Sequence, residues 1–321
     1  LCDFGRLDAA ERQNREALVA AEQSLRDTEL EAVHAVRAAF FERHRSVHLM
    51  RVAVESERQY AQHLEEARIM TEVGTRRQYD VTKAEVDWGN ARLEVVTASN
   101  NLVVAHAQLN RALGLAENPD YRIGPGELPA ARRHPDALLA DARFNAPSLA
   151  VLRARERAAS AYVDQTIAEL YPEFSIGADV DLSGRGFPLA WNLSGVLRAA
   201  QNLFDGHRKT ARIDEAVTQL RRARAAVAEA EQALYLNLVT AVAERESARK
   251  RADIARLIQK QAEDNLAIVN EQYRVGISSS IERTDAQVAL TQAQANAIRA
   301  AYDEQAAIAR IARLAGEPVT R

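Results

Sequence analysis

Few places in this 321-residue chain could carry chemistry. Two carboxylates, Glu282 and Asp285, follow closely on the run Gly276-Ile277-Ser278-Ser279-Ser280. Ser279-x-x-Glu282 fits a capping box, which makes Glu282 a structural carboxylate. Asp285 then reads as a solvated helix charge. His44 and His48 stand four apart on a helical stretch and could hold a metal ion. No third ligand is evident, so they read as two solvated histidines. Cys2 is the single cysteine, which rules out an intramolecular disulfide and a cysteine metal cage. Trp88 and Trp191 read as packing or interfacial aromatics rather than ligand platforms. There is no Gly-rich phosphate loop, nucleophile elbow or HExxH stretch. The chain reads as a non-enzyme, with no cofactor and no metal.

The element that must position the acidic pair is a turn between two long helices. Tyr273-Arg274-Val275-Gly276 closes one apolar-periodic segment, and the serines open another. Glycine takes positive φ without steric cost and suits a helix end; serine suits a helix start. The same tip occurs earlier, as Val73-Gly74-Thr75 followed by Asp80, Thr82, Ala84 and Val86. At one constant shift of 202, Leu1, Asp3 and Arg6 match Leu203, Asp205 and Arg208. Val73, Gly74, Thr82, Ala84, Val86 and Gly114 match Val275, Gly276, Thr284, Ala286, Val288 and Gly316. The chain is a tandem duplication of a helical hairpin. Cys2 aligns with Phe204, which favours a packing role over lipid attachment.

Composition agrees. Ala, Arg, Glu, Gln and Leu dominate and aromatics are few, the signature of long helices or coiled coils. The formal net charge of −3 leaves no nucleic-acid footprint. No apolar run approaches the roughly 20 residues of a membrane-spanning helix. Residues from about 6 to 70 form one helix, roughly 90–100 Å long, and a return helix reaches about Leu113. Residues 116 to 148 are rich in proline and glycine, with a short helix around 136–142. Another helix runs from Pro147 to about Leu170. In the second long helix Ile213, Val217, Leu220, Ala223, Val227, Ala230, Leu234, Leu238 and Ala241 step at a mean of 3.5, the coiled-coil period.

Between the repeats the period changes to two. Phe174, Ile176, Ala178, Val180 and Leu182 alternate with Ser175, Gly177, Asp179 and Asp181. Ser183-Gly184-Arg185-Gly186 is a turn. Leu189, Trp191 and Leu193 then alternate with Ala190, Asn192 and Ser194. A half-buried soluble hairpin and a pair of transmembrane β-barrel strands both fit this pattern.

The order of these motifs resembles the TolC-like outer-membrane efflux proteins. Asn202-Leu203-Phe204-Asp205-Gly206-His207-Arg208 and Leu1-Cys2-Asp3-Phe4-Gly5-Arg6 are similar to that family's strand-to-helix junctions. Leu170-Tyr171-Pro172-Glu173-Phe174-Ser175 is similar to its lead-in to a barrel strand, and Asp285-Ala286-Gln287-x-x-Leu290 to its return helix. The resemblance spans essentially the whole chain. It implies a mainly α fold with a small β part: tandem long antiparallel helical hairpins in a trimeric α-barrel, plus strands given to a transmembrane β-barrel. The expected divisions are 1–115 and 203–316 for the two hairpins, 116–170 for an equatorial segment, 171–202 for the strands and 317–321 for a tail. A second strand hairpin is expected upstream of Leu1.

The implied function is the outer-membrane exit duct of a tripartite efflux or type I secretion system. The implied partners are two further copies, a periplasmic adaptor, an inner-membrane pump and outer-membrane lipid, with no nucleic acid. By the same resemblance Glu282 and Asp285 ring the pore constriction, while Tyr273, Asp80 and Arg76 make gate-closing contacts. Val73, Gly74, Thr75, Val275, Gly276 and Ile277 dock the adaptor. The chain departs from the family's gate pattern at Ser278, where a basic residue can stand; Arg76 or Arg77 substitutes for it. The alternatives are a periplasmic adaptor, which ordinarily carries one hairpin, and a soluble coiled-coil structural protein, which would have no use for the alternating strands.

Overall fold

The computed structural model describes residues 3–116, 119, 121, 123–124, 135–183 and 190–316. Leu1, Cys2, the turn at Gly184-Arg185-Gly186, Leu189, most of the loop-rich stretch and the 317–321 tail lie outside the described residues. Helix α1 runs Arg6–Glu72, α2 Gln78–Ala112, α3 Pro135–Asn145 and α4 Pro147–Ala168. Strands β1 (Glu173–Ser183) and β2 (Ala190–Ala200) follow, then α5 (Arg208–Arg274) and α6 (Ser280–Leu314). Every bound of the first hairpin recurs in the second displaced by 202: Arg6 to Arg208, Glu72 to Arg274, Gln78 to Ser280 and Ala112 to Leu314. The left-handed residues obey the same shift. Phe4 and Gly5 answer Gly206 and His207, Gly74 answers Gly276, and Gly114 answers Gly316. None of these helices is long and apolar enough to cross a membrane.

Residues 3–28 and 140–236 form one compact unit. The long helices start on aspartate caps. Asp3 accepts from the Leu7 N–H at 2.7 Å, and Asp205 accepts from those of Arg208 and Lys209 at 3.1 Å. Such caps satisfy amides that have no partner inside the helix. The ring of Phe4 stacks on Tyr171 at 4.9 Å. Helix α4 is tied to α1 by Arg12–Asp164 and Arg157–Glu16, and to α5 by Arg153–Glu231 and Arg224–Glu156. It stops at Ala168, two residues short of expectation. The chain turns there through Leu170 and Tyr171 into the strand, by short 3.0–3.2 Å backbone bonds.

The strands pair antiparallel, Val180 opposite Leu193 and Ile176 opposite Leu197. One face carries Phe174, Ile176, Ala178, Val180 and Leu182 against Ala199, Leu197, Gly195, Leu193 and Trp191. The other carries Ser175, Asp179 and Asp181 against Arg198, Ser194 and Asn192. Strand β2 runs six residues beyond Ser194, because Leu197 and Ala199 keep the apolar register although Val196 breaks the strict alternation. The large side chains of the apolar face, from Ile176 to Leu197, are 62–80% exposed, so nothing among the described residues covers them.

Residues 29–124 and 135–139, with 237–316, form the second unit. The first hairpin packs Leu64 and Ala67 of α1 on Val81 and Ala84 of α2. The second packs Ala252 and Ala255 on Ala297 and Ala300, and Leu266 on Ala286 and Leu290. From Leu234 to Tyr273 the buried or half-buried positions of α5, apart from Thr240, Val242 and Asn270, alternate steps of four and three, a heptad seam. Its many alanines let the helices approach closely. Leu138 of α3, a helix that starts one residue before and ends three after the expected 136–142, closes this unit against Ala241, Ile311 and Ala315. His44 and His48 are half-buried rather than solvated: the His44 ring lies tilted against Phe40 with centres 4.5 Å apart, and His48 lies 6.0 Å from Tyr302.

Candidate functional site: the paired helical tips

Both tips are five-residue turns built on the same hydrogen bonds. Gly74 takes φ 77° and Gly276 takes φ 83°. Thr75 N–H bonds Met70 O at 2.9 Å while Gly74 N–H bonds Thr71 O; Ile277 and Gly276 repeat the pair on Gln272 and Tyr273. This double bond across a left-handed glycine is the Schellman ending of a helix. A Cβ added at either glycine would meet nothing within 4 Å, so the backbone angle and not crowding demands glycine. Val73, Val275 and Ile277 are 68%, 69% and 78% exposed beside them. Thr75 is also exposed; its hydroxyl donates to Met70 O.

Helix α6 opens on the expected capping box. Ser279 Oγ accepts from the Glu282 N–H at 3.2 Å, and Glu282 Oε2 accepts from the Ser279 N–H at 2.9 Å. Glu282 also accepts from the Ser278 hydroxyl. That hydroxyl, then the Ser279 amide, hold its pKa below the ordinary glutamate value. Its side chain is therefore both cap and exposed charge. Asp285 is exposed and has no hydrogen bond or ion pair among the described residues. The phenol of Tyr60, pushed up to about 12 by burial and then by Asp87 and Asp285, senses its charge.

Arg76, Tyr273 and Asp80 come together within one chain. The Arg76 guanidinium donates to the carbonyls of Tyr273 (3.2 Å) and Ser278 (3.3 Å) and lies 4.4 Å from the Tyr273 ring centre. It thus reaches from the first tip onto the second, against an aromatic face that attracts cations. Asp80 accepts from the Ser280 hydroxyl at 2.6 Å, binding the start of α2 to the start of α6. Tyr273 is fully buried. Its hydroxyl has no hydrogen-bond partner among the described residues, and burial raises its pKa.

Sequence reasoning missed the rest of this cluster. The Arg283 guanidinium lies 4.9 Å from the Tyr273 ring centre and bonds Glu66 at 2.6 Å. His63 meets Tyr273 edge-on at 5.5 Å, and burial followed by Arg283 pushes its pKa down to about 4. Thr284 donates to Asp87, which also pairs with Lys83 at 2.9 Å. Thr284 keeps the 202 repeat, answering Thr82, and the other missed residues break it. Arg283 answers Val81, Glu66 answers Ile268 and His63 answers Asn265. Among the described residues no three potential metal ligands come together. The arrangement has no nucleophile paired with a base. It is a clamp, with bonds between two hairpin ends and an acidic pair facing outward.

Comparison with known proteins shows the family in which this cluster stands. A family model described as outer membrane efflux protein matches residues 1–115 and 138–317. No curated protein matches the sequence significantly. Among solved structures, a membrane protein from Pseudomonas aeruginosa superposes with a TM-score of 0.88 at 18% identity, over 98% of this chain and 75% of that one. The outer-membrane channel OprN superposes at 0.89 and 17% identity, over 98% and 72%. The outer membrane protein VceC from Vibrio cholerae gives 0.84 at 16% identity, over 98% and 77%. These likenesses carry the fold, and the family match covers most of the sequence: the chain belongs to the outer membrane efflux protein family.

Proposed function

We propose that this outer-membrane channel works as a homotrimeric exit duct, held shut at the helical tips and opened in company with a periplasmic adaptor and an inner-membrane pump. The observation that carries the gate is the reach of Arg76 from one tip to the backbone of the other, across the buried Tyr273. Releasing that contact frees the second hairpin to swing. In a trimer Glu282 and Asp285 would present six carboxylates at the constriction, which attracts cations and repels anions. The exposed Val73, Val275 and Ile277, beside open glycines, offer the adaptor an apolar seat. The uncovered apolar face of β1 and β2 supports insertion in lipid, because a soluble coiled coil would leave that face in water.

The test is planar-bilayer conductance of the full-length protein. Glu282→Gln keeps a capping-box acceptor while removing charge, so it is paired with Asp285→Asn. Cation selectivity is expected to fall in this double variant, and conductance to rise in Arg76→Ala. Selectivity unchanged by loss of both carboxylates would remove them from the constriction. No conductance from any form would remove the channel itself.

A further inference from the structure

The internal repeat carries a consequence for how copies meet. Within one chain α1 packs beside α6: Ser56 Oγ lies 3.2 Å from Thr291 Oγ1, Glu66 pairs with Arg283, and Arg45 reaches Asp303 at 4.0 Å. Since α5 repeats α1 and α2 repeats α6, the same seam read at the 202 shift joins α5 to α2. Within one chain this seam is not made, for Ile254, Ile258 and Ile268 of α5 stay exposed. A second copy can make it.

We infer that α5 of one copy packs against α2 of the next in this register, with Ile258 seated on Gly89. The register rests on the proposed oligomer but makes a separate claim. In place of Ser56 and Thr291 the repeat puts Ile258 and Gly89. Ile258 is 49% exposed in one chain, and Ile254 and Ile268 on the same helix are both 58% exposed. Gly89 stands inside α2, where glycine weakens a helix relative to alanine. No crowding within the chain requires it, for an added Cβ would meet nothing within 4 Å. A large side chain on α5 and a missing one on α2, at corresponding places, make a knob and its hole.

Charge follows the same logic. Arg45 and Asp303 become Ser247 and Asn101, and Glu66 and Arg283 become Ile268 and Val81. In these two pairs both members lose charge together, while a third in-chain pair, Glu31 with Arg313, becomes Ala233 and Arg111 and keeps one cation in the last turn of α2. Val81 is already buried in its own hairpin, which leaves Ile268 to rest on the surface of α2 beside it. At the first two pairs the seam within a chain is thus ionic and the seam between chains uncharged.

The experiment uses full-length protein in detergent, in a Cys2→Ser background. Ile258→Cys/Gly89→Cys is oxidised and run without reductant, beside each single variant and the in-chain control Ser56→Cys/Thr291→Cys. Reduction-sensitive covalent oligomers from the double variant, none from the singles, and a linked monomer from the control support the register. Oligomers by light scattering without that cross-link, while the control closes, overturn the register and leave the trimer standing. A monomer by light scattering overturns both. Gly89→Leu gives a second reading that needs no cysteine. The hole is filled at a position where an added Cβ meets nothing within 4 Å in the chain, so the oligomer fraction is expected to fall about tenfold with helical content kept. An unchanged oligomer overturns the proposal.

Discussion

His63 lies under the Tyr273 ring, beside Arg283, and is held neutral there with a pKa down to about 4. Unfolded, it titrates near its ordinary value of about 6.5. Between those values the unfolded chain binds more protons, so stability falls as pH drops. The contribution of neutral His63 is complete above about pH 6.5 and gone below about pH 4, a span worth about 3 kcal/mol. The thermal midpoint of His63→Gln is expected to drop less than that of the native chain between about pH 7 and pH 4.5; parallel drops would show that another group drives the loss. Arg283 makes the second prediction. Its side chain is only 15% exposed and binds Glu66 directly. Arg283→Ala leaves that carboxylate without its cation and is expected to cost about 2 kcal/mol, read by chemical denaturation. In Glu66→Ala/Arg283→Ala the cost should be less than the sum of the two single changes, and additive costs would deny the coupling. The sequence located Arg76, Tyr273 and Asp80 through motif positions beside the glycines. It missed His63 because a buried histidine on a long helix looks like any other residue of the stripe until its neighbours from two other helices are known.

At the scale of elements, the hairpins were legible because local chemistry writes their ends. A left-handed glycine closes α1 and α5, and Ser279 with Glu282 opens α6. The aspartate caps were less visible, since Asp3 and Asp205 act through backbone amides up to four residues on. The apolar stripe read over residues 213–241 continues to Tyr273, but there alanine carries it, with Arg245 and Gln259 interrupting, so hydrophobicity understates the seam. The two tips also differ in a way that the repeat conceals. Helix α6 begins on a serine side-chain cap, whereas α2 begins at Arg77, which has no side-chain acceptor, and only Asp80 returns to its amide, at 3.4 Å. Ser279→Ala should therefore cost about 1 kcal/mol, and hydrogen exchange should quicken at the amides of the first turn of α6. The equivalent Arg77→Ala should leave exchange in α2 unchanged. Equal quickening at both helices would show that the caps do not set the fraying.

The whole molecule joins two solvents, and the strands are where sequence alone left two readings open. Period-two alternation is the same in a soluble hairpin and in a lipid-facing one. What separates them is coverage, which depends on whether any other part of the fold lies over the apolar face. Among the described residues none does: Trp191, Leu193, Val180 and Ile176 stand 62–72% exposed, while Asp179 and Asp181 occupy the opposite face. Two strands alone leave unpaired backbone edges that hydrocarbon does not tolerate. Closure by further strands and burial in lipid are therefore one requirement. This makes the effect of a charge depend on the face. An arginine on the lipid side of a barrel costs about 2–4 kcal/mol at the midplane, less toward the interfaces, and little on the lumen side. Val180→Arg should sharply reduce the yield of heat-resistant oligomer folded into phosphatidylcholine vesicles. Asp179→Arg, one residue away, should fold at close to the native yield, and its channel should lose selectivity for cations. If both variants fold equally well, the apolar face does not meet lipid. If Asp179→Arg is the one that fails, the two faces are reversed.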